Sequence, residues 1–497
     1  MSRRPDVPSS RRRWLRSGEP RSGGRYVVYW MNAARRTRCN YALDRALGLA
    51  GDLEVPLVVL EALRCDYRWA SDRMHRFVLQ GMRDNRAVFD GTGILYHPYV
   101  EPRVGAGKGL LRALAREACA VVTDDFPDFF HPRMLAAAAE QIEVPLEAVD
   151  SNGLLPLRAA DRAFARAFDL RRFLQRELRP HLLQPPRLNP VPRAKLKPLA
   201  ELPAKVTRRW PRASDALLEG APAELAKLPI DHAVGPVDLV GGEAAARRAL
   251  KRFVEQRLAI YGEERSHPDS DAASGLSPYL HFGHLSAHEV LGAVAKREGW
   301  KPEQVGGIKS GARHGWWNLS EAAEAFMDEL VTWRELGLNF AAHRDDIDRY
   351  GSLPEWSRRT LAEHAGDTRP HLYSHARFDA AETHDELWNA AQTELRESGR
   401  MQNYLRMLWG KKILHWSEAP EQALEVMIEL NNRYALDGRD PNSYSGIFWV
   451  LGRYDRAWGP EREVFGKIRY MSGQNTRRKL RLNDYLARWG SGSLFTG

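Results

Sequence analysis

The sequence predicts an N-terminal α/β domain with a parallel sheet, joined by a long connection to an all-helical C-terminal domain. Three observations carry this. Short apolar runs alternate with amphipathic stretches over residues 25–160. Prolines crowd residues 183–240, as in Pro185-Pro-Arg-Leu-Asn-Pro-Val-Pro-Arg. Beyond residue 241, strand-like runs are scarce and apolar residues recur at three- and four-residue spacing.

Taken in order, residues 1–24 read as a flexible basic arm. Ser10-Arg-Arg-Arg-Trp-Leu superficially resembles a twin-arginine export signal, but Arg16-Ser-Gly-Glu-Pro stands where an apolar stretch should follow. Residues 25–160 form the α/β domain. Tyr26-Val-Val-Tyr-Trp-Met, Val55-Pro-Leu-Val-Val-Leu, Gly93-Ile-Leu-Tyr and Ala120-Val-Val-Thr read as buried strands separated by crossover helices such as the one opening at Asn40. No GxGxxG or Walker loop follows a strand, so a dinucleotide or nucleoside triphosphate site has no support. Residues 161–240 are read as an interdomain linker and 241–497 as the helical domain. Its helices are expected over Ala244–Tyr261, Ala287–Glu298, Ser320–Asn339, Glu382–Glu397, Gln402–Trp416 and Glu421–Tyr434.

The chain has 497 residues, 43% hydrophobic and 28% charged, with a net charge of +10, which suits a polyanionic partner or a generally basic surface. Cys39, Cys65 and Cys119 show no paired spacing, so neither a disulfide framework nor a metal site is expected, and a reducing, cytoplasmic setting fits. No apolar run approaches the ~20 residues that span a bilayer.

Four segments carry candidate chemistry. Ser274-Gly-Leu-Ser-Pro places small and hydroxyl residues before a proline-led helix, where free amides can hold phosphate or merely cap the helix. Glu329 and Trp333, four apart, share a helix face; together they suit the edge and face of a nucleobase, or equally a surface acid beside a core residue. Trp409 and Trp416, seven apart, lie ~10 Å apart along one helix face. With Trp388 they form either an electron relay or a packed stripe. The segment from Leu430 to Trp449, densely polar before Ile447-Phe-Trp, could be a solvated loop or the lining of a site for a heteroaromatic ring.

Together these segments resemble the class II cyclobutane pyrimidine dimer photolyases of the photolyase/cryptochrome family, from about residue 25 to 480. Leu276-Ser-Pro-Tyr-Leu-His-Phe-Gly, Thr383-His-Asp-Glu-Leu-Trp-Asn-Ala-Ala-Gln, Arg406-Met-Leu-Trp-Gly-Lys-Lys, Tyr434-Ala-Leu-Asp-Gly-Arg-Asp-Pro-Asn and Phe465-Gly-Lys-Ile-Arg-Tyr-Met-Ser carry the likeness, in order. The resemblance implies the photolyase fold, with a Rossmann-like antenna-type domain and a helical FAD-binding domain. It implies a lyase that flips a pyrimidine dimer out of UV-damaged DNA and splits it with an electron from excited reduced FAD. Tyr261 and Ser274, Gly275, Leu276 and Ser277 would hold the diphosphate. Arg406 and Asp437 would pair beside the flavin, and Asn431 would face its N5. Trp409, Trp388 and Trp416 would form the photoreduction relay; Ile447 stands where class I enzymes carry a relay tryptophan. Glu329, Trp333, Met407 and Trp449 would form the dimer pocket, Arg265 would lie near the flavin and the lesion, and Arg456 and Arg469 would fill the gap left in the DNA. An antenna chromophore, deazaflavin or folate, is left open. The expected molecule is a monomer with no obligate protein partner and no membrane contact. Ser266, Gln402, Asn403 and Gly452-Arg-Tyr depart from the family pattern on the substrate side. A cryptochrome-like photoreceptor without repair activity is the alternative.

Overall fold

The computed structural model describes residues 6–490, which form two compact units. The first takes the residues up to Asp161, Glu177–Lys251 and Leu276–Pro302; the second takes Arg162–Arg176, Arg252–Gly275 and the residues from Glu303 onward.

The first unit is built on a six-stranded sheet: β1 (Arg12–Arg16), β2 (Tyr26–Met31), β3 (Leu57–Leu63), β4 (Leu95–Val100), β5 (Ala118–Asp124) and β6 (Leu146–Val149), in the order β1-β6-β5-β2-β3-β4. β2 to β6 run parallel and β1 is antiparallel to β6. The crossovers are α1 (Tyr41–Asp52), α2 (Asp72–Phe89), α3 (Leu110–Ala115) and α4 (His131–Gln141). Every residue of β2 is buried, because both faces of the sheet are covered. Val28 and Val58 pack with Leu110 and Leu114 on one face; Val27 and Val59 pack with Leu43 and Leu47 on the other.

β2 lies between β3 and β5, so the strand order reverses there, which is where open α/β sheets bind ligands. Here the chain fills that point itself. Asp124 Oδ2 accepts from the amides of Asn32, Ala33 and Ala34 at 2.8, 2.8 and 3.0 Å, a nest that a phosphate would otherwise take. This is the structural counterpart of the missing glycine-rich loop.

Three boundaries differ from those read in the sequence. The basic arm supplies β1. Its arginines looked like solvated charge, but Arg12 meets Glu147 at 2.5 Å, Arg13 meets Asp125 at 2.8 Å and Arg11 meets Asp150 at 3.3 Å. Those carboxylates are buried and need partners, and β1 covers the edge that β6 would otherwise expose. The span 161–240 holds a sixteen-residue helix, α5 (Ala167–Leu182), which begins in the second unit and ends in the first. After it no helix longer than six residues forms before residue 240, where prolines remove amide donors. Residues 276–302 fold with the sheet rather than with the helical unit. Arg36 donates to the Gly283 carbonyl at 3.1 Å, and Glu243, at the start of α6 (Glu243–Arg252), accepts from the Thr37 amide at 2.8 Å.

The second unit is helical. α7 (Glu321–Met327) runs through a π-type turn, Asp328–Trp333, into α8 (Arg334–His343). Then come α9 (Glu386–Ser398), α10 (Asn403–Trp416), α11 (Pro420–Tyr434) and α12 (Pro441–Val450). Their starts follow local chemistry: Ser320, Asp385, Gln402 and Asp440 each accept a bond from an amide of the first turn. The stretch expected as one helix from Ala244 changes to a π-type turn at Phe253–Arg257. α12 was not expected as a helix: the second half of the polar segment, from Pro441 to Gly446, forms its first turns behind the Asp440 cap, although Asp440-Pro441 reads equally as a turn.

A candidate active site in the helical unit

A cavity of about 950 Å³ opens in the second unit, at the upper end of the range for ligand pockets. Arg265, Glu329, Trp333, Met407, Trp449, Arg456 and Arg469 all line it, so the seven residues assigned from sequence to the dimer and its flanking DNA come together. Glu329 and Trp333 sit on the π-type turn, whose i→i+5 bonding is a deformation of the helix often found at functional sites. Met407 comes from α10 and Trp449 from α12.

Glu329 forms an ion pair with Arg265 at 2.5 Å, and 31% of each side chain remains accessible. Burial raises the Glu329 carboxyl above its usual pKa, and Arg265 pulls it back down. Burial also works against the Arg265 charge, but Glu329 overrides this and holds the guanidinium firmly protonated. The short contact and partial hydration favour the charged pair. Arg265 is fixed from two further sides: it donates to the Tyr261 hydroxyl at 3.4 Å, and Gln402 donates to its carbonyl at 2.8 Å. Burial, then Glu329, push the Tyr261 phenol up to about 12. One residue before Glu329, Asp328 is held by Arg171 through bonds of 2.9 and 3.0 Å.

Two of the departures from the family pattern acquire roles here. Gln402 is the N-cap of α10, accepting from the Leu405 amide at 3.0 Å while gripping Arg265. Asn403 is exposed and lines the cavity. Arg453, by contrast, is buried against Phe340 and Phe448, at 4.3 and 3.7 Å from their centroids, and lies outside the cavity wall.

Sequence reading missed three parts of this site. Trp458 lines the cavity; Arg456 and Arg469 lie 4.5 and 4.9 Å from its ring centre, and its indole N–H donates to Asp455 at 3.1 Å. Phe168, at the start of α5, lines the cavity with 49% of its surface exposed. Arg257 and Arg400 lie beside the Ser274-Gly275 segment. Arg257 donates to the Ala273 carbonyl at 3.4 Å, and a Cβ on Gly275, where φ is +68°, would stand 3.5 Å from the Arg400 guanidinium. A tryptophan and an arginine two residues apart was the signal for Trp458; for the others no local pattern existed.

The remaining assigned residues fall into three groups. Arg406 and Asp437 pair at 3.1 Å, each side chain 14% accessible. Asn431 is buried, and its amide group donates to the Gly438 carbonyl at 2.9 Å and Ser443 Oγ at 3.0 Å. Leu276 and Ser277 belong to the first unit, Ser274 and Gly275 to the second. The three tryptophans are fully buried and in sequence of contact. Trp388 lies parallel to Trp409 at 6.4 Å (interplanar angle 4°) and edge-on to Trp416 at 6.1 Å. Its N–H donates to the Trp409 carbonyl at 3.1 Å. Trp416 meets Tyr373 at 5.7 Å, whose hydroxyl bonds the exposed His384 at 2.7 Å.

The chain thus combines an α/β sheet unit with a helical unit that holds a cavity walled by indoles and rimmed by arginines, and a buried row of three tryptophans. No family model matches the chain. It is 34% identical over 484 residues to the deoxyribodipyrimidine photo-lyase of Methanothermobacter thermautotrophicus, covering 97% of this chain and 98% of that one. It is 33% identical over 500 residues to the deoxyribodipyrimidine photo-lyase of Oryza sativa subsp. japonica (96% and 90%), and 32% identical over 469 to that of Potorous tridactylus (92% and 80%). Among solved structures, a bacterial class III photolyase from Agrobacterium tumefaciens shares the fold, with a TM-score of 0.62 at 15% identity over 94% of this chain and 86% of that one. The chain belongs to the deoxyribodipyrimidine photo-lyase family, and it is an enzyme of DNA repair.

Proteins of this family bind FAD, and the helical unit suits it. Arg257 pairs with Asp271, while burial, then the charges of Arg252 and Arg400, weaken its hold on its proton. A diphosphate at Ser274-Gly275 would relieve that repulsion. No helix of the described residues is long and apolar enough to cross a membrane.

Proposed function

We propose that this chain is a class II enzyme that repairs cyclobutane pyrimidine dimers in DNA. The observation that carries this is the cavity, where seven residues drawn from four segments of the chain converge. Trp333 and Trp449 offer faces on which a flipped pyrimidine pair can stack. Arg265 offers N–H donors to pyrimidine carbonyls, and Glu329 an acceptor for a ring N–H. The guanidinium also opposes negative charge reaching the pyrimidines. Arg456 and Arg469, both exposed beside Trp458, suit the phosphates and the space vacated in the duplex.

FAD, when bound, supplies the light-driven electron. Ser274, Gly275, Arg257 and Arg400 would hold its diphosphate, and Arg406, Asp437 and Asn431 its ring. Trp416, Trp388 and Trp409 would pass electrons inward through buried contacts of 6.1 and 6.4 Å. That route, with Ile447 buried where class I enzymes place a tryptophan, supports class II.

The test is illumination of the photoreduced protein with a duplex carrying one thymine dimer. Loss of the dimer in blue light and not in darkness supports the reading. A dimer that survives with flavin bound and reduced refutes it and leaves the photoreceptor alternative.

A further inference from the structure

Of the four residues Trp409-Gly-Lys-Lys, the proposed function uses only the tryptophan. Gly410 permits a close helix crossing: a Cβ there would stand 2.6 Å from Val450 Cγ2 and 3.0 Å from Met427 Sδ. Glycine at this point lets α10 lie close against α11 and α12 without displacing those side chains. The crossing brings Lys411 to the C-terminal end of α12, where its ammonium donates to the Val450 carbonyl at 2.6 Å. Lys411 is fully buried, and Nζ lies 5.0 Å from the ring centre of Trp449, the residue before Val450. Lys412 differs: it is partly exposed, 3.6 Å from Asp385 and 5.0 Å from the Trp416 ring centre.

A buried ammonium is unfavourable unless its surroundings compensate, and an apolar side chain would fill the same space without that cost. What lysine adds is a cap on the last carbonyls of α12 and a charge against the Trp449 indole. We propose that Lys411 is a positioning residue of the cavity, locking the end of α12 and, through its charge, the Trp449 ring, so that the ring meets a flipped pyrimidine pair in one orientation. This rests on the reading that the cavity receives the dimer.

The charge is adjustable. Burial lowers the Lys411 pKa to about 7; Asp455, on the segment after α12, favours the ammonium, and Arg469, itself 5.6 Å from the Trp449 ring centre, opposes it. The cation is present below that pH and lost above it, so preference for the lesion should decline as pH rises through neutrality.

The experiment measures dark binding by fluorescence anisotropy, at constant salt from pH 6 to pH 9. It compares a duplex carrying one thymine dimer with the same duplex undamaged, for the FAD-loaded wild type and Lys411→Met. The ratio of the two affinities removes general phosphate attraction. Expected is a wild-type ratio that falls about fivefold across the range, the scale of one cation–π contact. The Met variant should show the lower ratio at every pH. A wild-type ratio that does not change with pH, a Met variant matching wild type at pH 6, or a Met variant with the same pH profile overturns the proposal. If the variant does not fold, the wild-type profile alone decides. A wild type with no preference for the dimer at any pH overturns the reading of the cavity, and this inference with it.

Discussion

Trp388→Phe separates the relay from the cavity. Trp388 touches both other indoles, parallel to Trp409 at 6.4 Å and edge-on to Trp416 at 6.1 Å, and does not line the cavity. Phenylalanine keeps an aromatic ring in the site but is far harder to oxidise. The structural cost is bounded. The bond from its indole N–H to the Trp409 carbonyl contributes about 1 kcal/mol. The smaller ring leaves a void worth a further ~1–2 kcal/mol. A loss of about 2–3 kcal/mol sits within the 5–15 kcal/mol stability of a typical domain, so the variant should fold, with Tm lower by about 4–10 °C. Two assays then divide its functions. Photoreduction of bound flavin, followed by absorbance in the presence of an external electron donor, should fail. Dimer splitting by chemically reduced protein should remain near wild type. Photoreduction at the wild-type rate would show that electrons enter elsewhere, and the relay assignment would fall. Loss of both activities in a folded, flavin-loaded variant would place Trp388 in the site itself.

Glu329→Gln should leave flavin content and Tm nearly unchanged, since its ion pair is partly hydrated. Dimer affinity should fall by roughly tenfold or more, the scale of one charge-assisted hydrogen bond, as read by competition with undamaged duplex. Arg400→Gln should release FAD about tenfold more readily, measured by flavin fluorescence on dilution; unchanged retention would remove Arg400 from the diphosphate site. Acid should weaken the sheet unit. Burial first, then nearby charges, depress His97 to about 4 and His284 to about 3, and both are fully buried. They stay neutral in the folded state while the unfolded chain takes up protons below about 6.5, so stability is lost as pH falls from there. The slope approaches ~1.4 kcal/mol per pH unit for each histidine, and urea midpoints between pH 6.5 and pH 4.5 should show it.

The alternation of four apolar runs with amphipathic segments made the parallel sheet legible before any coordinates, because strand and helix periodicity are written in neighbouring residues. So were most helices of the second unit, and, through the motifs that carry them, seven of the residues that line its cavity. Tertiary structure alone decided what depends on partners distant in the chain. Arg12 and Arg13 belong to a strand only because Glu147 and Asp125 wait buried beside them. Arg265 and Glu329 become an ion pair only in the folded chain, where Gln402 holds the Arg265 carbonyl and Glu329 sits on the π-type turn. Lys411 looks like any surface lysine of a helix until Gly410 lets α12 close over it. Hydrophobic pattern is a local property of sequence, whereas the compensation of a buried charge is settled by whichever distant group the fold delivers to it.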